Sequence, residues 1–107
     1  MVEVGLHDEI VEWIDTLDET ERSRTLVVID RLATLGPAAR MPLSKRLGDG
    51  LFELRFTLGS TARRITYRFT KDGRVILLTT FRKQRNNERN EITRARKAAA
   101  ECAERYP

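Results

Sequence analysis

Between residues 51 and 81 the hydrophobic period is two, and that alternation limits the chain to a fold built around an antiparallel sheet. In 51–58, Phe52, Leu54, Phe56 and Leu58 alternate with Leu51, Glu53, Arg55 and Thr57. In 62–70, Ile65, Tyr67 and Phe69 alternate with Arg64, Thr66 and Arg68. Gly59-Ser60-Thr61 reads as the turn between them, and Asp72-Gly73 as a strong hairpin turn into 74–81. That third segment, RVILLTTF, is apolar on both faces, as a strand inside a sheet is.

The period upstream is helical. Ile10, Trp13, Ile14 and Leu17 form one apolar stripe on an otherwise acidic helix, with Trp13 expected in the core. Asp18 with Glu21 three residues on is a capping-box pattern. The helix it opens carries Leu26, Ile29, Leu32 and Leu35 and stops at Gly36-Pro37. Residues 37–50 read as irregular. A last helix from near Asn87–Asn90 to about Arg105 has small apolar positions (Ala95, Ala99, Ala103), which suit a close seat on the sheet or cheap detachment. The expectation is a single α+β domain over 1–107: an N-terminal helical hairpin packed on a small antiparallel sheet of three to four strands, plus a C-terminal helix. A short leading strand at Val2–Val4 would add an edge, and the helices are expected on one face.

Charge is divided unevenly. Residues 1–39 hold nine acids and three bases, whereas residues 40–107 hold seventeen bases and seven acids. A polyanionic partner for the second part is the natural inference. One cysteine (Cys102) excludes an internal disulfide and fits a reducing compartment. One cysteine and one histidine (His7) do not make a usual zinc site, so metal chemistry is not expected. No run approaches the ~18 apolar residues that span a bilayer, and the start has no cationic leader, so a cytoplasmic protein is expected.

Strand parity locates the chemistry. With the apolar residues of 51–58 and 62–70 turned to the helices, Glu53, Arg55, Arg64, Thr66 and Arg68 share the opposite, open face. Neighbouring arginines repel, and a phosphate would pair them. Arg82, Lys83 and Arg85 leave the third strand where they can close over this face, and Lys45 and Arg46 approach from the loop before the first. The alternative is a solvated basic face with Glu53 in cross-strand salt bridges to Arg55 or Arg64. If the substrate is RNA, attack of a 2′-hydroxyl on the adjacent phosphate needs a base, an acid and charge stabilisation. Glu53 is one candidate base. Lys83 is the other, if its positive neighbours pull its pKa below the usual ~10.4. Arg55 and Arg64 suit charge stabilisation, because arginine stays protonated. The lack of a strong acid–base pair implies weak action on free RNA and a partner that positions the substrate.

The run LSKRLGDGLFELRF, then RRITYRF, a DG turn, VILLTTFRKQ and a polar helix resembles the Gp49-like/HigB branch of the RelE/ParE toxin superfamily. The positions that carry the likeness are Leu47, Gly48, Gly50, Leu51, Glu53, Leu54 and Arg55, then Arg64, Ile65 and Tyr67, then Phe81 and Lys83, within about residues 42–97. The resemblance implies a RelE-like fold and a toxin of a type II toxin–antitoxin system that cleaves mRNA on the ribosome. It also implies a cognate helix-turn-helix antitoxin, no metal or cofactor, and functional roles for Arg55, Arg64 and Lys83. Gln84 stands where the branch has a second lysine, and Arg63 where an aromatic often precedes Arg64. Two other readings stay open: a ParE-type inhibitor of DNA gyrase, and a non-catalytic RNA-binding module.

Overall fold

The computed structural model describes residues 1–107. The chain runs β1 (Val4–Leu6), α1 (Asp8–Asp15), α2 (Glu19–Leu35), a 3-10 turn (Gly36–Ala38), β2 (Ser44–Gly48), β3 (Leu51–Leu58), β4 (Thr61–Phe69), β5 (Val75–Arg82) and α3 (Glu88–Arg105). The α+β architecture is the expected one, with a helical hairpin, a sheet and a terminal helix.

The sheet is larger than expected and mixed. Its five strands lie in the order β1-β5-β4-β3-β2. β3, β4 and β5 pair antiparallel through the two anticipated hairpins, and β1 pairs parallel to β5 with Val4 opposite Val75. The fifth strand, β2, lies inside the stretch read as irregular. Ser44, Lys45 and Arg46 pair with Leu54, Glu53 and Phe52, and a bulge before Gly48 absorbs Leu47. Five residues broken by a bulge carry too little alternation to announce a strand. No helix is long and apolar enough to cross a membrane.

The helical hairpin begins as its capping box dictates. The Glu21 amide donates to the Asp18 carboxylate at 2.8 Å, and the Asp18 amide donates back to Glu21 at 3.3 Å. The buried stripe of α2 is Thr25, Ile29, Leu32 and Ala33, whereas Leu26 is 47% exposed and Leu35 41%. The four leucine and isoleucine positions of the sequence pattern therefore do not all face inward. The helix is rotated by about one residue, which brings Thr25 and Ala33 under cover in place of the larger side chains. Beneath the hairpin sit Leu54, Ile65, Tyr67 and Leu77, and Trp13 packs on their edge. The Tyr67 hydroxyl shares a short hydrogen bond with Ser44, which satisfies the one polar atom of a ring otherwise sealed in the core.

The helices do not share one face. α3 lies on the other side of the sheet, where Ala95 and Cys102 pack on Leu51, Ile76 and Leu78. Its small side chains let the backbone approach closely, and β5, apolar on both faces, demands cover on both. Its far end is fastened by Arg68, which donates to the Tyr106 carbonyl at 2.6 Å, and its middle by Arg96, which donates to the Leu47 carbonyl at 2.8 Å.

Leu54 is fully buried, so Leu54→Ala should cost about 2–5 kcal/mol in denaturant unfolding. Leu26→Ala, which the sequence pattern alone would rank as equal, should stay within about 0.5 kcal/mol.

Candidate active site

The register of β3 on β4 sets Arg55 directly opposite Arg64 and Glu53 opposite Thr66. Paired residues point the same way, so these four share one face, as parity requires. That face also carries Leu51 and is the one α3 covers. It is therefore not open, as the sequence suggested, but a cleft beneath the first turn of α3. Glu53 has no exposed surface and Arg64 is 7% exposed. Arg55, at the margin, keeps a partly exposed side chain.

Glu53 organises the cleft. Its Oε1 lies 3.4 Å from Arg64 Nε and 3.9 Å from Arg55 Nε. The pairing of Glu53 with the arginines is thus present, across strands to Arg64 and along β3 to Arg55, although buried rather than solvated. Neither Glu53 oxygen receives a hydrogen bond from an N–H or O–H group. The neighbouring carboxyl is Glu88, at the start of α3. Burial above all, then the charge of Glu88, pushes the Glu53 pKa up, against the pull of Arg64 and Arg55. Glu88 is shifted the other way, chiefly by its hydrogen bond and ion pair with Lys83, with Lys45 adding a smaller attraction. Two adjacent carboxyls with opposite shifts make a pair in which a proton is taken up by Glu53 before Glu88. Burial, and then the charge of Arg55, lowers the Arg64 pKa from its ordinary value, but an arginine remains a cation there.

Among the expected site residues, Glu53, Arg55, Arg64 and Lys83 come together. Lys45 joins them, since it pairs with Glu53 in the β2–β3 register. The crowding of Lys83 by cations that the sequence suggested is not found; its ammonium meets the Glu88 carboxylate. The other four residues stand apart. Arg46 pairs with Phe52 and points to the hairpin side. Arg82 is opposite Arg63, whose guanidinium lies 4.5 Å from the Trp13 ring centroid, again on the hairpin side. Arg68 is engaged in holding the end of α3. Arg85 is exposed on the turn after β5 and forms no ion pair. Parity alone separates Arg82 from Lys83, because successive residues of a strand face opposite ways. Glu88 was missed. Its sequence signal is an acid at the first position of a helix that leaves the strand carrying Lys83. No three histidine, cysteine or acidic side chains gather as they would around a metal ion.

Three comparisons bear on this geometry. A family model described as "Phage derived protein Gp49-like (DUF891)" matches residues 12–101. A solved structure of the E. coli toxin RelE, a double-arginine mutant in the free state, superposes with a TM-score of 0.61 at 12% identity, covering 94% of this chain and 96% of that one. At that identity the likeness concerns the fold and not the chemistry. No curated protein matches the sequence.

The raised pKa of Glu53 has a sign that can be checked. Its stabilising contribution is fully present at low pH and is lost as pH rises through its folded pKa. Glu53→Gln should therefore gain thermal stability relative to wild type as pH is raised from about 4 upward. Glu88→Gln should show the opposite trend, because its depressed pKa contributes stability that is lost on acidification. Melting temperatures across a pH series measure both, and a Glu53→Gln difference independent of pH would refute the assignment.

Proposed function

The chain belongs to the Gp49-like family of phage-derived proteins and has the RelE fold, and from that premise we propose that it is the toxin of a toxin–antitoxin pair, acting as a metal-independent endoribonuclease on mRNA at the ribosome. One observation carries the reading. Arg55 and Arg64, which pair with Glu53, and Lys83, which pairs with Glu88, converge on two adjacent carboxyls, and a phosphodiester anion would be held among these cations in the place of Glu88.

Substrate entry exchanges one anion for another. When a phosphodiester takes the place of Glu88, the first turn of α3 lifts and Glu53 is uncovered. The 2′-hydroxyl then attacks the adjacent phosphorus and the bond to the 5′-oxygen breaks. Glu53, in its carboxylate form beside Arg64, accepts the hydroxyl proton, and its upward shift makes it a stronger base than an ordinary carboxylate. The Lys83 ammonium, released from Glu88, donates a proton to the departing 5′-oxygen. Arg55 and Arg64 hold the charge that builds on the phosphoryl oxygens. The cleft is closed in the free protein, which fits a nuclease that acts only where the ribosome presents its substrate. Because Glu88 caps the cations, the free toxin is held back by its own side chain. The cognate antitoxin, a helix-turn-helix protein on this reading, has the same cationic cleft and α3 to work on.

Lys83→Ala should lower mRNA cleavage by about 10²–10³ in a ribosome-containing translation extract, read by primer extension, with the melting temperature little changed. Lys83 is the cleaner test than Arg64, whose removal leaves Glu53 buried without its nearest counter-charge and costs stability as well. If Lys83→Ala cut mRNA at the wild-type rate, the site would be wrong. Wild-type protein that leaves mRNA intact while inhibiting gyrase, or while only binding RNA, would replace the proposed activity with one of the other two.

A further inference from the structure

A second cationic feature lies outside the cleft. Between α2, the connection that follows it and β3 runs a groove of about 420 Å3. Arg24 and Arg31 enter it from α2, Arg40 from the connection and Arg55 from β3, and no aspartate or glutamate lines it. The position of these charges is unexpected on composition. Residues 1–39 are strongly acidic and contain three bases, yet two of those three, Arg24 and Arg31, stand at this groove. Neither forms an ion pair, and the Arg40 guanidinium donates only to the carbonyls of Pro37 and Ala39. Folding asks for none of these three charges.

Geometry narrows the ligand. Arg24 and Arg31 are seven residues apart on one helix, about 10 Å along its axis. Guanidiniums strung over that length suit successive charges of a polymer, not one small anion. The floor is apolar, with Val28 and Phe56 among its residues, so it offers contact to flat rings between charges. Arg55 belongs to both places: its Nη1 lies 3.3 Å from the Met41 sulfur at the groove, and its Nε 3.9 Å from Glu53 in the cleft. A strand bound in the cleft thus passes directly into the groove.

We infer that this groove binds the single-stranded RNA flanking the scissile bond, with Arg24, Arg31 and Arg40 on successive phosphates and Phe56 beneath a base. The inference rests on the proposed nuclease reading and extends it from a cleavage point to a strand-binding track. An acidic peptide would satisfy the charges but leave the ring-sized apolar floor without purpose.

The test compares wild type with the triple variant Arg24→Ala, Arg31→Ala, Arg40→Ala, all three positions exposed, with circular dichroism as the control for folding. Binding of a 12-nucleotide 2′-O-methyl oligoribonucleotide, which cannot be cut, is followed by fluorescence anisotropy over a salt series. Loss of three phosphate contacts should reduce the slope of log affinity against log salt by about 2. Wild type should then lose roughly 16-fold more affinity than the variant between 50 and 200 mM salt. A three-nucleotide oligomer, too short to leave the cleft, should bind both proteins alike. Equal slopes for the 12-mer would overturn the groove assignment. So would a variant that loses binding to a poly-glutamate peptide while keeping full RNA affinity, which would mark a protein interface. If wild type cleaves mRNA on ribosomes and the slopes are equal, the groove alone is wrong; if wild type neither cleaves nor binds the 12-mer, both readings fall.

Discussion

Arg55 and Arg64 stand side by side across two strands, and like charges in that position destabilise a sheet. The rest of the site is arranged around making this pair tolerable. Glu53, one step along β3, reaches both guanidiniums and is buried in doing so. Burial of that carboxyl raises its pKa, Glu88 beside it raises it further, and Lys83 pairs with the Glu88 charge. Each group is placed where the previous one leaves a charge unanswered. A change at the Arg55–Arg64 pair is therefore felt at the start of α3, although no backbone hydrogen bond links them.

The same face changes character along its length. At the Leu51 end it is apolar and takes the alanines and Cys102 of α3; at the Arg55 end it is charged and takes only Glu88. One helix thus covers a hydrophobic surface with its rear and an ionic one with its tip. A protein of 12% identity shares this fold, so the layout does not depend on most of the particular side chains.

How much of this could be read beforehand differs by element. The three hairpin-linked strands were legible because their alternation is long and their turns need glycine: Gly59 and Gly73 both have φ in the left-handed region. The shared face of Glu53, Arg55 and Arg64 followed from parity. Cover on that face did not, although Ile76 and Leu78 on the second side of β5 called for it. Arg46 and Arg82 were misplaced for a single reason, since one residue along a strand reverses direction, and without β2 the facing of Arg46 had no reference. Glu88 has a local signal, an acid opening the helix after Lys83, but no local pattern says which end of a helix meets which end of a strand. The rotation of α2 is not legible from its leucines, because a threonine and an alanine, Thr25 and Ala33, take the buried places while Leu26 and Leu35 stay exposed.

The two ends of α3 are held by different kinds of force. Arg68 and Arg96 grip backbone carbonyls and the apolar seat lies beside them. The front of the helix depends instead on ion pairs, Lys83–Glu88 at the tip and Arg94–Glu9 beyond it, beside the Asn87 hydrogen bonds with the Gln84 amide and the Arg82 carbonyl. Mobile ions compete with the second kind of fastening far more than with the first. The helix is in effect a flap pivoted at its back, with a latch whose strength follows the ionic surroundings and whose release leaves the pivot intact.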